Sequence, residues 1–147
     1  MSGVRSLFSC FLAETGGRLS VTSLILTGGI GLAGASGAVT RYLLGRFFAE
    51  RVNARFPLGT FLINISGAFL IGLVFALAGH QLISPTIQLL LATGFLGGYT
   101  TFSTLNWETL QLARGGSMYL GLLYLGGTFV LGLGAEMLGM MVGGLLR

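Results

Sequence analysis

The sequence predicts an all-α integral membrane protein with four transmembrane helices, the third of them broken. Hydrophobic residues make up 53% of the 147 residues, and mean hydropathy is +0.88. Charged residues make up only 8%, against roughly 25% in an ordinary soluble domain. Eight basic and four acidic side chains cannot cover a water-facing surface, so the composition excludes a typical soluble enzyme and favours a bilayer.

Four apolar stretches are long enough to cross a bilayer, which takes ~20 residues of helix. They span about residues 21–40, 58–79, 87–112 and 119–146. The first connection is arginine-rich and runs from Arg46 through Glu50 and Arg51 to Pro57, and the other two are short turns. Small residues at four-residue spacing, among them Gly139 and Gly143, predict close helix packing. Residues 21–147 are therefore expected to form one membrane unit in the cell (inner) membrane.

The first 20 residues are expected to be an N-terminal leader, because the apolar run at 7–13 is too short to span a membrane. An interfacial segment and a misassigned start codon both fit this stretch. The +4 net charge comes from arginines spread along the chain, which indicates membrane orientation and no nucleic-acid partner. These arginines divide three against five between the two membrane faces, which is compatible with insertion in both orientations.

The third span contains an unusual segment, residues 94–104, which reads GFLGGYTTFST. Three glycines and four hydroxyl residues are poor helix formers, so we expect the helix to break here. Unwound backbone inside a membrane frees carbonyls that can hold a cation, whereas the N-terminus of the next helix favours an anion. The alternative is a kinked helix whose hydroxyls bond to preceding carbonyls.

Several polar or aromatic side chains lie deep in the predicted spans. Asn64 offers two N–H donors to an anion, although it could equally bridge two helices. Phe102 could turn its positive ring edge to an anion, although most phenylalanines serve packing. Tyr124 and Thr128 share a helix face that continues to Gly132, and the alternative is that both are satisfied within the bundle.

The ionisable residues near membrane depth do not form a catalytic set. Arg41 and Glu108 lie near span ends, from which each could extend to the interface. His80 falls in a turn. Glu136 lies well inside the fourth span, and a lone carboxylate there is a candidate for proton coupling.

Three blocks together resemble the family of small bacterial fluoride channels, long labelled camphor-resistance or chromosome-condensation proteins. The blocks are residues 37–42 (GAVTRY), residues 57–67 (PLGTFLINISG), and residues 94–104 with Glu108 four positions later. Their order and spacing agree over about residues 21–147. The resemblance implies an antiparallel dual-topology homodimer in membrane lipid, with narrow pores that export fluoride passively.

The resemblance also implies roles for particular residues. The fluoride pathway would include Asn64, Phe102, Ser103, Thr104, Tyr124, Thr128, Arg41 and Glu108. A structural sodium ion would be held by the main-chain carbonyls of Gly97 and Thr100. Two positions depart from the family pattern on the expected pore wall: Leu105 replaces the second ring of a phenylalanine pair, and Gly132 replaces a common serine. Either a related second subunit supplies the missing ring, or a neighbour such as Phe95 or Tyr99 takes its place.

Two other classes of membrane protein remain open on the sequence alone. A small four-helix, proton-coupled multidrug exporter would need a membrane carboxylate, and only Glu136 could serve. A non-transporting membrane assembly subunit would need no polar residues along a pore. Neither alternative explains the GGYTTFST segment.

Overall fold

The computed structural model describes residues 21–51 and 56–146. The predicted leader at 1–20, the segment 52–55 and Arg147 lie outside the described residues. The described part is helical throughout, without strands. Its elements, in chain order, are α1 (Val21–Arg51), α2 (Leu58–Gly79), α3 (Pro85–Gln88), a π-helix (Leu89–Leu96), α4 (Gly97–Tyr99), α5 (Phe102–Arg114) and α6 (Met118–Leu145).

Three of these helices, α1, α2 and α6, are long and apolar enough to cross a membrane. This confirms the prediction of an all-helical membrane protein. Each helix is apolar around most of its circumference, as expected where lipid surrounds the protein.

Helix α1 is longer than the sequence predicted. The connection was expected to begin near Arg46, but the helix continues to Arg51, so this boundary was wrong. The last turns carry their own stabilising pairs. Arg46 Nε contacts Glu50 Oε1 at 2.6 Å, one helical turn away, and the Arg51 guanidinium lies 3.8 Å from the centre of the Phe47 ring.

Helices α2 and α6 form the most extensive contact in the structure. A Cβ added at Gly139 would lie 2.0 Å from the carbonyl oxygen of Phe69, and one at Gly72 would lie 2.1 Å from that of Glu136. Only glycine permits backbones to approach so closely, and this confirms the predicted close packing. On the other side of α2, a small core forms around Ile63, Leu96 and Tyr99.

Helix α1 packs against the π-helix and α4. The π-helix is wider than an α-helix, and no sequence pattern predicted it. It leads directly into the polar segment at residues 97–104, which lies between α1 and α2.

Candidate functional site

Between α4 and α5, two residues leave helical geometry: Thr100 and Thr101. Their φ and ψ angles are −80° and 158°, and −149° and 124°, both extended. Gly94, Gly97 and Gly98 lie within helical segments, so the interruption falls on the threonines and not on the glycines. A β-branched side chain tolerates extended backbone well, which accounts for this position.

Asn64 on α2 holds the extended backbone of Thr101 from both sides. Its Nδ2 donates to the Thr101 carbonyl at 3.1 Å, and its Oδ1 accepts from the Thr101 N–H at 2.9 Å. The carboxamide therefore accepts from the N–H that a continuous helix would have bonded to the Gly97 carbonyl, and it adds a bond to the Thr101 carbonyl, where α5 begins. One Nδ2–H remains, and it has no other partner among the described residues. Asn64 thus bridges two elements, as one of its interpretations predicted, and keeps one donor.

The hydroxyls around the start of α5 are engaged with one another. Thr101 Oγ1 accepts from the Thr104 N–H at 3.3 Å, which caps the helix, and donates to Thr104 Oγ1 at 3.0 Å. Ser103 Oγ lies 3.3 Å from the same Thr101 oxygen. Ser103 and Thr104 are therefore placed together by the cap, next to the Asn64 contact.

Glu108 joins three helices. Its Oε1 accepts from Thr60 Oγ1 of α2 at 3.0 Å, and its Oε2 accepts from Tyr124 Oη of α6 at 2.6 Å. Tyr124 is completely buried, and Thr128 Oγ1 donates to the Tyr124 carbonyl at 2.6 Å. Glu108 therefore does not extend to the interface, and Tyr124 and Thr128 are satisfied within the chain.

Arg41 reaches from α1 to the end of α4, where its Nε donates to the Gly98 carbonyl at 3.0 Å. This carbonyl belongs to the last helical turn before the break, whose oxygens need partners. The remaining guanidinium N–H groups face a cavity. One N–H of Arg41 is therefore bound to the main chain, and its other N–H groups lie at the cavity.

The site residues line three cavities. The first, of about 570 Å³, is lined by Arg41, Thr60, Thr104 and Glu108. The second, of about 330 Å³, is lined by Asn64, Phe102, Thr128 and Glu136. Thr101 lines both of these cavities. A third, of about 740 Å³, is lined by Thr104 and Glu108 on the side of Trp107. Tyr124 and Ser103 line none of the three.

Phe102 and Phe129 form an edge-to-face pair beside the second cavity, with ring centres 6.4 Å apart and planes at 76°. Their side chains are 63% and 53% exposed on this chain. Leu105 lines the same cavity but is only 3% exposed. Phe95 and Tyr99, the two expected substitutes, stack on each other and do not line this cavity.

The break releases main-chain carbonyls that suit a hard cation. The Thr101 N–H that would have bonded to the Gly97 carbonyl bonds to Asn64 instead. Within the described residues, no hydrogen bond reaches the carbonyl oxygen of Gly97 or of Thr100. Carbonyl oxygens freed by an unwound helix are the ligands that sodium takes in membrane proteins, so this pair fits such an ion. The described residues contain no His, Cys, Asp and Glu cluster suited to a metal.

Three contributing residues had no assigned role on sequence grounds. Thr60 precedes Asn64 by one helical turn, so their shared face was a signal that could have identified it. Thr101 lies inside the recognised segment, but its central position depends on its contact with α2. Phe129 follows Thr128 and has no distinguishing sequence signal.

Comparisons with known proteins cover most of this region. Residues 29–140 match the family described as "CrcB-like protein, Camphor Resistance (CrcB)". A relative from Acidobacterium capsulatum, named "Fluoride-specific ion channel FluC", is 49% identical over 115 residues, which cover 78% of this chain and 92% of the relative. Relatives of the same name from Solibacter usitatus and Thermus thermophilus are 46% and 44% identical, over 75% and 80% of this chain and 91% and 94% of their own lengths.

Proposed function

The chain belongs to the CrcB-like, camphor-resistance family, and on this premise we propose that it is a fluoride-selective channel that passively exports fluoride across the cell membrane. The similar relatives are named fluoride-specific ion channels, and the polar groups of this chain surround cavities at membrane depth. The interior of a cell is electrically negative, so passive flow carries fluoride outward.

The Asn64 contact with the extended backbone at Thr101 is the observation that carries this proposal. Fluoride holds its hydration water strongly, so a pore must offer hydrogen-bond donors in place of that water. Asn64 is fixed by two hydrogen bonds and still has one N–H to offer. A donor held rigidly in this way binds an anion without further loss of side-chain freedom.

The first two cavities provide a path in which Thr101 stands between them. In the first cavity, the free N–H groups of Arg41 attract anions from solution. Glu108 carries negative charge in the same cavity, but hydroxyl donors occupy both of its oxygens. From there fluoride passes Thr101 and reaches Asn64 in the second cavity, where the hydroxyl of Thr128 can rotate towards it.

We propose that Phe129 supplies the second aromatic ring that is missing at Leu105. Phe102 and Phe129 both line the second cavity, and their edge-to-face geometry leaves a positive ring edge available to an anion. Phe95 and Tyr99 do not line that cavity. A homodimer therefore needs no related second subunit to complete an aromatic pair.

We also propose that Gly97 and Thr100 hold a structural sodium ion through their main-chain carbonyls. When bound, the ion would supply a fixed positive charge near the pathway. The Asn64 contact occupies the Thr101 N–H, and this leaves the Gly97 carbonyl without its helical partner. If the dimer loses no stability when sodium is exchanged for a bulky organic cation, this assignment is wrong.

The subunit is proposed to have four spans, with the segment from α3 to α5 crossing the membrane as an interrupted third helix. It is further proposed to pair with a second copy in antiparallel orientation. Phe102 is 63% exposed on the single chain although it lines the second cavity. A second copy would cover this ring and close the cavity against lipid.

Fluoride release from liposomes tests the function. Purified protein is reconstituted into liposomes loaded with fluoride, and efflux is followed with an ion-selective electrode after a potassium ionophore is added. Rapid release that saturates with protein content supports the channel. Drug-driven proton flux without fluoride release would indicate the exporter, and neither flux would indicate an assembly subunit.

Phe102→Ile is the first variant for the same assay. This change keeps an apolar side chain but removes the ring edge, so flux should fall while the protein still elutes as a folded dimer. Wild-type flux in this variant would remove Phe102 from the pathway.

A further inference from the structure

The carboxylate of Glu136 lies on the wall of the second cavity, together with Asn64, Phe102 and Thr128. Glu136 and Thr128 are eight residues apart on α6, which places them on one helix face about 12 Å apart along the axis. Gly132 lies between them and has no side chain to separate them. Glu136 thus faces the same space as the residues proposed to carry fluoride.

No partner neutralises this carboxylate within the described part of the chain. It makes no ion pair or hydrogen bond there, and the backbone of Glu136 packs closely against Gly72. Helix α2 has no ionisable residue, and His80 lies beyond its end. Helix α5 contributes Glu108, whose two oxygens accept hydroxyl donors, and Arg114 at its last turn.

The remaining titratable groups on α6 are Tyr119 and Tyr124. Tyr119 lies in the first turn of the helix, and Tyr124 donates to Glu108. Neither lines the second cavity. Glu136 is therefore the one described Asp, Glu, His, Lys or Arg residue on this cavity wall.

We propose that Glu136 limits the fluoride flux through its negative charge, an inference that rests on the proposed channel function. The carboxylate repels fluoride from the second cavity, and an uncharged side chain at this position removes the repulsion. At about 12 Å and an effective dielectric constant of about 20, the repulsion changes anion occupancy roughly tenfold. Flux should therefore rise roughly tenfold when this charge is removed.

The test compares the wild-type protein with Glu136→Gln and Glu136→Ala in fluoride-loaded liposomes at one fixed, mildly alkaline pH. Efflux from protein-free liposomes is subtracted, because hydrogen fluoride crosses bare lipid. Glu50→Gln removes an equal charge from the exposed end of α1, where Glu50 pairs with Arg46, and serves as the matched control. Size-exclusion chromatography verifies that every variant is a folded dimer.

We expect Glu136→Gln and Glu136→Ala each to release fluoride roughly tenfold faster than the wild-type protein. Equal rates in these two variants separate the effect of charge from that of the amide donor, and Glu50→Gln should keep the wild-type rate. A Glu136→Gln rate equal to that of the wild type would overturn the inference while leaving the channel function intact.

The two proposals fail in different ways. If the wild-type protein releases no fluoride but Glu136→Gln does, the carboxylate blocks conduction and the inference is supported. If neither protein releases fluoride, the channel function itself is wrong, and this role of Glu136 is wrong with it.

Discussion

Substitutions at Asn64 best distinguish its contribution to stability from its contribution to fluoride conduction. Asn64→Ala removes both hydrogen bonds to Thr101 and leaves the partly buried Thr101 N–H without a partner. Side-chain hydrogen bonds inside membrane proteins contribute about 0.6 kcal/mol on average, and leaving a buried group unpaired costs about 1–3 kcal/mol. We expect a loss of about 2 kcal/mol in the free energy of unfolding.

Asn64→Asp keeps nearly the same side-chain shape but replaces the neutral amide with a negative charge. Its carboxylate still accepts from the Thr101 N–H, so it should destabilise the protein less than alanine does. The carboxylate also puts a negative charge where fluoride is proposed to bind. At about 5 Å and an effective dielectric constant of about 20, the repulsion is about 3 kcal/mol, or a more than hundredfold loss of flux.

The two variants should therefore rank in opposite orders. Stability, measured by equilibrium unfolding in detergent micelles, should fall from wild type to Asn64→Asp to Asn64→Ala. Fluoride efflux from liposomes at neutral pH should fall from wild type to Asn64→Ala to Asn64→Asp. Ser66→Ala is the control, because it removes a 2.8 Å hydrogen bond to Tyr99 from the same helix without touching any of the three cavities. If flux follows stability across all three variants, Asn64 has only a structural role.

The other predictions concern packing beside the second cavity. Phe129→Leu should lower fluoride flux about two- to tenfold without changing the dimer, because it removes one ring of the aromatic pair; unchanged efflux would exclude Phe129 from the pathway. Leu105→Phe should destabilise the chain by about 1–3 kcal/mol in a thermal unfolding assay, because only 3% of Leu105 is exposed; faster flux with full stability would show that the site accepts a ring. Gly67→Ala should lower both the unfolding temperature and the flux, because its Cβ would lie 2.3 Å from Thr100 Cγ2; a variant with wild-type values for both would show that the break moves freely.

The sequence by itself determined the membrane class and the family. Helices α2 and α6 are long and apolar and carry little charge, so they require lipid as their solvent whichever helices they contact. The three motif blocks fixed the resemblance, and the family match covers residues 29–140. The polar segment at 94–104 could be identified as unusual from local composition, because glycine and hydroxyl residues weaken a helix by themselves.

The tertiary structure alone decided where the chain is interrupted and which groups share a cavity. The interruption lies at Thr101 because Asn64, 37 positions earlier, accepts from the Thr101 N–H in place of a backbone carbonyl. Phe129 and Glu136 join Asn64 through the packing of α6 on α2, a relation between distant segments that local propensity does not encode. Periodicity assigns a residue to a face of its own helix, but which cavity that face lines depends on how the helices cross.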